Sequence, residues 1–382
     1  MSIPTLRGLG LTLGALALSG LTACGSGEPD APGSAARETA GKISVAASDT
    51  ECEVAVSEVA AGTTTFSITN GGAKVTEFYV YAPGDRVMAE VENIVPGLTR
   101  ELIAELPAGS YETVCKPGMV GKGIRNALKV TGEHEPLTAD AKLAQATADY
   151  KRYVRSQSDT LLVKTQEFVD AVKAGKIEEA KALFPVSRTY WERIEPVAEI
   201  FGDLDPAIDA READLAEGEE WTGFHKIEKD LWITKDVSKD GPIADKLIAD
   251  VKTIVDKANA TELTPLNLAN GAKELLDEVA TGKITGEEDI WSHTDLWDFD
   301  ANLEGSKAAV QALRPVLEER APDLVKTLDE RFAAAEAALG AHQKGDGWRL
   351  HDELSKAELK TLSDAINALG EPISKIAPIV AK

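Results

Sequence analysis
The stretch Trp221-Thr-Gly-Phe-His-Lys-Ile-Glu-Lys-Asp-Leu-Trp232 decides how the larger part of this chain is read. Its pattern predicts a helix, because Phe224, Ile227 and Leu231 fall at i, i+3 and i+7 and make one apolar stripe. Thr222 stands where an N-cap is expected. His225, Glu228 and Trp232 repeat the spacing on the neighbouring stripe. Residues three apart on a helix are neighbours, so the His225 imidazole and the Glu228 carboxylate project together. A nitrogen and an oxygen donor beside an apolar stripe suit a divalent or ferric ion inside a helical bundle, where di-iron proteins use the mirrored Glu-x-x-His spacing. The same spacing equally fits a helix whose His caps a neighbour and whose Glu faces water.

Outward from this stretch the pattern stays helical. Helices are predicted over 150–172 (closed by Gly175), 177–183, 189–201, 207–216, 243–259, 265–280, 293–317, 322–339 and 356–369, with Gly or Pro at most ends. Part of the pattern repeats. Phe168-Val-Asp170, Val172 and Gly175-Lys-Ile177 match Leu275-Leu-Asp277, Val279 and Gly282-Lys-Ile284. An acidic aromatic helix follows each, Tyr190-Trp-Glu-Arg-Ile-Glu-Pro196 and His293-Thr-Asp-Leu-Trp-Asp-Phe-Asp300. Two related halves packed face to face would bring Glu192, Glu195, His293, Asp295 and Asp298 towards His225 and Glu228.

The N-terminal third reads differently. Arg7, the apolar run Leu9 to Leu18 and Leu21-Thr-Ala-Cys24 have the form of a signal peptide ending in a bacterial lipobox, with lipid expected on Cys24. No other apolar run is long enough to span a bilayer. The chain is therefore expected outside the cytoplasm, lipid-anchored to the cell membrane, with residues 24–41 as a flexible tether. A net charge of −23 argues against nucleic acid and anionic membrane surfaces as partners and for cations or basic surfaces, and it equally serves solubility alone.

Between residues 42 and 132 short β-branched or aromatic runs, 54–59, 63–69 and 77–82, alternate with Gly, Asn-Gly and Pro-Gly turns, which predicts an all-β sandwich. Lipidation would use one of the three cysteines and leave Cys52 and Cys115 in an oxidising compartment. Two readings stay open for them: a structural disulfide, or a metal site with nearby carboxylates such as Glu77, Glu92 or Glu112 and with Met119 as a weak ligand. Gly109 to Met119, a strand ending in Cys with Met a few residues on, resembles the ligand loop of cupredoxins. A blue-copper site needs imidazoles, and residues 42–132 contain no histidine.

Gly223-Phe-His-Lys-Ile-Glu228 resembles the Gly-x-His-x-x-Glu signature of the imelysin-like proteins. Tyr190 to Pro196 and Glu288 to Gly305 look like two further blocks of that family, and Cys52, Glu77, Glu92-Asn-Ile-Val-Pro-Gly97 and Cys115 are similar to the N-terminal cupredoxin-like domain of its EfeO branch. The resemblance covers nearly the whole chain after the leader. It implies a cupredoxin-like β-sandwich (42–132) followed by an all-α imelysin-like helical bundle with an internal repeat (133–382). It implies a secreted or lipid-anchored iron-uptake component that captures iron and works beside a membrane iron permease and a haem-containing peroxidase-like partner. In the helical part it marks His225 and Glu228 as iron ligands, and the further ligands expected here are Glu195 and Asp295. In the β part the implied ligands are Cys52, Cys115, Glu77 and Glu92, for copper or iron.

The family also carries a metallopeptidase label. Zinc peptidases of the His-Glu-x-x-His type need a second imidazole one turn on, and here Glu228 is followed by Lys229, Asp230, Leu231 and Trp232. The expectation is a binding protein and not an enzyme.

Overall fold
The computed structural model describes residues 42–382, except Asp203 and Ala216. The expected signal peptide, the tether and Cys24 lie outside the described residues. Nine strands come first: β1 (Ile43–Ala47), β2 (Cys52–Val54), β3 (Glu58–Ala60), β4 (Gly62–Asn70), β5 (Thr76–Ala82), β6 (Arg86–Ile94), β7 (Thr99–Leu106), β8 (Gly109–Pro117) and β9 (Ile124–Thr131). They form a four-stranded sheet, β2-β1-β4-β7, and a five-stranded sheet, β3-β9-β8-β5-β6. The run expected at 54–59 is thus split. The chain leaves the edge of one sheet after Val54 and enters the edge of the other at Glu58.

Strand alternation sets the sandwich core. In β1, Ile43, Val45 and Ala47 point inward and the residues between them are exposed. β5 is buried along its whole length. Phe78 and Val80 face the sandwich core, while Tyr79 and Tyr81 join Val87 and Val114 in a separate small cluster.

The helical part contains α1 (Ala141–Lys173), α2 (Ile177–Glu192), α3 (Glu195–Ala198), α4 (Leu204–Asp209), α5 (Phe224–Lys229), α6 (Gly241–Ala260), α7 (Pro265–Thr281), α8 (Asp295–Arg320), α9 (Pro322–Gly340), α10 (Lys356–Ile373) and α11 (Ile376–Val380). α1 begins nine residues before the expected Tyr150, because the Asp140 carboxylate caps it by accepting the N–H of Lys142 and Leu143. The two helices expected at 177–183 and 189–201 join into α2, with Pro185 inside it, and stop at Glu192. The helix expected at 207–216 shrinks to α4 and a single turn at Glu212–Asp214.

α1 packs on α2, α6 and α8, and α7 on α8 and α10, around one apolar core. α7 also lies against β6 and β7 of the sandwich. The Asn270 amide donates to the Ile103 carbonyl at 3.0 Å, and Arg100 pairs with Asp277. No helix among the described residues is long and apolar enough to cross a membrane.

Candidate metal centre
α5 is short, and its position is fixed by packing at both ends. Phe224 is fully buried against Phe168 and Phe184, with ring centroids 5.8 and 6.4 Å away. Burying such a side chain contributes roughly 1.5–3 kcal/mol. Gly223 precedes the helix at a φ of +88°, and a Cβ there would sit 2.1 Å from the Ile208 carbonyl oxygen. Only glycine lets α5 start this close to α4. Thr222 does not cap the helix; its hydroxyl donates to the Ala207 carbonyl at 2.8 Å. After Lys229 the helix widens into a π turn, Asp230–Thr234. Such bulges concentrate at functional sites.

Phe224, Ile227 and Leu231 enter the apolar core as the periodicity requires, but His225 and Glu228 are fully buried as well. The His225 ring stands between two pairs of carboxylates. Nδ1 lies 3.1 Å from Glu228 Oε2 and 3.9 Å from Asp289 Oδ1. Nε2 lies 3.5 Å from both Asp209 Oδ1 and Glu288 Oε1 and makes no hydrogen bond of good geometry. α5 thus supplies the ring, α4 supplies Asp209, and the loop before α8 supplies Glu288 and Asp289.

The two sides of the ring are not equivalent. On the Nδ1 side each carboxylate is tied by one oxygen and presents the other. Glu228 Oε1 accepts the N–H of Trp291 and Ser292 at 3.1 and 2.7 Å, which leaves Oε2 facing the ring. Asp289 Oδ2 accepts the Thr294 hydroxyl, and its buried Oδ1 has no hydrogen-bond partner. On the Nε2 side Asp209 Oδ1 and Glu288 Oε1 are both held by Arg188. One imidazole nitrogen and two carboxylate oxygens, mutually within 4.8 Å, form a donor set that suits iron. A metal-binding imidazole usually gives its other N–H to a carboxylate, and Asp209 and Glu288 flank Nε2 at 3.5 Å without a well-aligned hydrogen bond.

Two internal cations organise the acids around this ring. Arg188 of α2 is fully buried and pairs with Glu192, Asp209 and Glu288, with Asp289 and Asp298 at 3.4 and 3.6 Å from its Nε. Lys283 is 4% exposed and pairs with Glu192, Glu195 and Glu278. Burial pushes the Glu288 carboxyl up, but Lys283, His225 and Arg188 together hold it well below its usual range. Burial lifts Asp289 to about 6, with Arg188 opposing. Burial and Arg188 push the His225 ring down, yet Glu228, Glu288 and Asp209 outweigh them and raise it to about 10. The ring is therefore an imidazolium at neutral pH.

Several expected ligands sit elsewhere. Glu195 reaches Lys283 at 3.1 Å and belongs to a neighbouring group with Glu192 and Asp209. Asp295 is buried, but its Oδ1 accepts the Asp289 N–H at 3.3 Å, one layer behind the ring. His293 is half-buried, 3.9 Å from Asp352. The expected β-domain ligands do not converge. Cys52 and Cys115 are joined in a disulfide inside the sandwich core, so neither offers a thiolate. In the ladder Phe78 pairs with Cys115 and Glu77 with Lys116, and neighbouring residues of a strand point to opposite faces. Glu77 is thus on the far face of the five-stranded sheet from Cys115. There its Oε2 accepts the Tyr79 hydroxyl at 3.0 Å, which also lies 3.2 Å from Glu92 Oε1. Asp209, Glu288 and Asp289 were not expected at the ring. Glu288 and Asp289 do open the block Glu288 to Gly305, which was the one available signal.

A protein of this architecture, a β sandwich ahead of a helical bundle with a buried His-x-x-Glu pair, is matched in two parts by family models. The Imelysin model covers residues 146–376 and the Cupredoxin-like domain model covers 15–124. The chain belongs to the imelysin family, in the branch that carries a cupredoxin-like domain. Among its relatives, the iron uptake system component EfeO of Escherichia coli O6:H1 (strain CFT073) is 39% identical over 88% of this chain and 90% of its own. The protein of the same name from Escherichia coli K12 is 38% identical over the same shares. The crystal structure of an iron-regulated protein A precursor from Parabacteroides distasonis overlaps 62% of this chain and 95% of its own, with a TM-score of 0.49 and 14% identity.

Proposed function
We propose that this chain is an iron-capturing component of an uptake system, held outside the cytoplasm by lipid on Cys24, which passes its cargo to a membrane permease. The role named for the E. coli relatives supports iron as cargo, and Leu21-Thr-Ala-Cys24 supports the anchor. A haem-containing peroxidase-like partner belongs to the same reading. The observation that carries it is the convergence of His225 Nδ1, Glu228 Oε2 and Asp289 Oδ1, all in fully buried side chains. Hard oxygens favour Fe(III) and the imidazole accepts iron in either state. Loading expels the ring proton, and reprotonation helps release the ion. Asp209 and Glu288 flank the ring's other nitrogen and favour its positive charge, and Arg188 holds both of them. Glu195 and Asp295 act one layer out, through Lys283 and the Asp289 backbone.

The cupredoxin-like sandwich is given no metal in this reading, since its cysteines are bonded to each other and its acids face away from them. The peptidase alternative needs a second imidazole, and among the described residues none joins His225 in a metal-binding group. The test is calorimetric titration of ferrous and ferric iron into the chain lacking its first 23 residues. Replacing a supporting partner lowers metal affinity ~10–100-fold, and loss of a ligand should cost at least as much. His225→Ala, Glu228→Ala and Asp289→Ala are each expected to reach that range, with a smaller loss in Glu195→Ala and Asp295→Ala. Unchanged affinity in the His225→Ala, Glu228→Ala double variant, with circular dichroism intact, would falsify the assignment. The same protein is expected to leave casein uncut with or without zinc. Chelator-sensitive cleavage that disappears in Glu228→Gln would replace this reading with a peptidase.

A further inference from the structure
Lys283 is an unusual residue to find inside a cation-binding protein. It sits in the single turn after α7 and is 4% exposed, and a lysine is almost never buried this far unless it is paired. Three carboxylates from three elements surround it: Glu192 at the end of α2, Glu195 of α3 at 3.1 Å, and Glu278 of α7 at 3.1 Å. Carboxylate oxygens around one positive charge are also what a hard metal ion takes. Glu192 and Glu195 present oxygens within 4.8 Å of each other and of Asp209, so two of the three acids that hold Lys283 are already at ligand spacing. Asn302 adds an independent sign. Its Nδ2 donates to Glu192 and Glu195, while its Oδ1, in a fully buried side chain, has no partner.

This position is not the His225 centre, but it is wired to it. Glu192 holds Lys283 with one oxygen and Arg188 with the other, and Arg188 holds Asp209 and Glu288 beside the ring. On its other side Glu278 lines a small cavity between α7 and β6–β7, together with Glu90, Glu92 and Glu274. Lys283 therefore stands between that acidic cavity and the centre.

We infer that Lys283 is a tethered cation that fills a second cation position beside the His225 centre and so limits loading there to a single ion. The inference rests on the reading of the centre as a cation site. Its consequence is functional. A fixed ammonium balances the charge of Glu192, Glu195 and Glu278 without competing for the imidazole.

The test counts ions. The mature chain and its Lys283→Met and Lys283→Arg variants are dialysed against ferrous iron alone under nitrogen, and bound metal is measured by elemental analysis. Lys283→Met is expected to hold one more ion per chain than the parent, and Lys283→Arg the same number. Adding His225→Ala to Lys283→Met should remove the first ion and keep the extra one. If His225→Ala costs nothing in the parent, the function proposed above falls, while the extra ion in Lys283→Met still decides this inference. Equal counts in Lys283→Met and the parent, with unchanged circular dichroism, overturn it. A Lys283→Met chain that folds only with iron present supports it, because the ion then supplies the missing charge. One that folds in neither condition overturns it.

Discussion
In the β sandwich, sulfurs and carboxylates that could serve a metal are held apart by the sheet that carries them. In the helical part, donors from three elements meet around one imidazole. Both regions hold buried acids, so burial of charge is not what separates them. Glu77 and Glu92 are pushed up by burial, with Lys116 and the Tyr79 hydroxyl partly relieving Glu77 and neighbouring acids, Glu77 and Glu90 first, raising Glu92 further. At the His225 ring, Arg188 and Lys283 neutralise part of the acid excess and leave selected oxygens pointing inward. A strand distributes its side chains on two faces, whereas a helix and the loops packed against it can aim several side chains at one point.

The largest effect should come from removing the cation that organises the second region. Arg188 is fully buried among five carboxylates. Breaking a buried ionic network by deleting one partner costs ~3–5 kcal/mol. Arg188→Met should lower the urea midpoint of the helical transition by a corresponding amount. The matching change in the sandwich is Cys52→Ser with Cys115→Ser, which opens a bridge across 63 residues of sequence. Losing a native disulfide costs ~2–5 kcal/mol. Iron affinity should stay unchanged in that double variant. A fall in affinity there would restore a metal role to the sandwich and break the contrast.

A smaller effect separates proton from metal at the ring. The folded His225 is raised to about 10, against about 6.5 when unfolded. Its charged form thus contributes stability fully present below pH ~6.5 and lost as pH rises through about 10. Metal needs the neutral ring, so affinity moves the other way and climbs about tenfold per pH unit until it levels near the folded value. Calorimetry in buffers of different ionisation enthalpy should show proton release on loading at neutral pH. Binding that is independent of pH between 6 and 9 would place the ion away from His225. From its spacing alone the ring would be expected to titrate near 6.5; Glu228, Glu288 and Asp209 move the window upward.

How much of this was legible depends on the range of the interaction that fixes each part. His225 and Glu228 could be read because three residues on one helix set their relation. The β runs could be read because strand alternation is local. The meeting of α2 with α8 was visible in the sequence echo, and the two helices do touch through Arg188 with Asp298 and Glu192 with Asn302. Asp289 could not be read, since only the packing of the loop before α8 brings it to the ring. Glu195 was the natural choice on a helix running to 201. α2 stops at Glu192, and the turn after it faces Lys283 instead. Which face of β5 carries Glu77 depends on strand register, which is set by pairing and not by composition.

The smallest expected effect tests whether the two regions are coupled at all. Arg100 of β7 pairs with Asp277 of α7, and Lys273 pairs with the same carboxylate oxygen. The side chains of Arg100 and Asp277 remain 19% and 25% exposed, so water screens the pair. Exposed ion pairs measured in double-mutant cycles contribute ~0.2–1 kcal/mol, and Lys273 remains to hold Asp277 when Arg100 is removed. Arg100→Ala should therefore lower stability by less than about 1 kcal/mol in urea titration. Asp277 lies one residue before Glu278, which binds Lys283, yet it points to the sandwich and not to the ring. If the contrast between the regions holds, iron affinity in Arg100→Ala equals that of the parent. A several-fold change in affinity, with stability nearly unchanged, would mean that the sandwich sets the position of α7. The Glu278–Lys283 link would then carry that position to the centre, and the two regions would have to be treated as one binding unit.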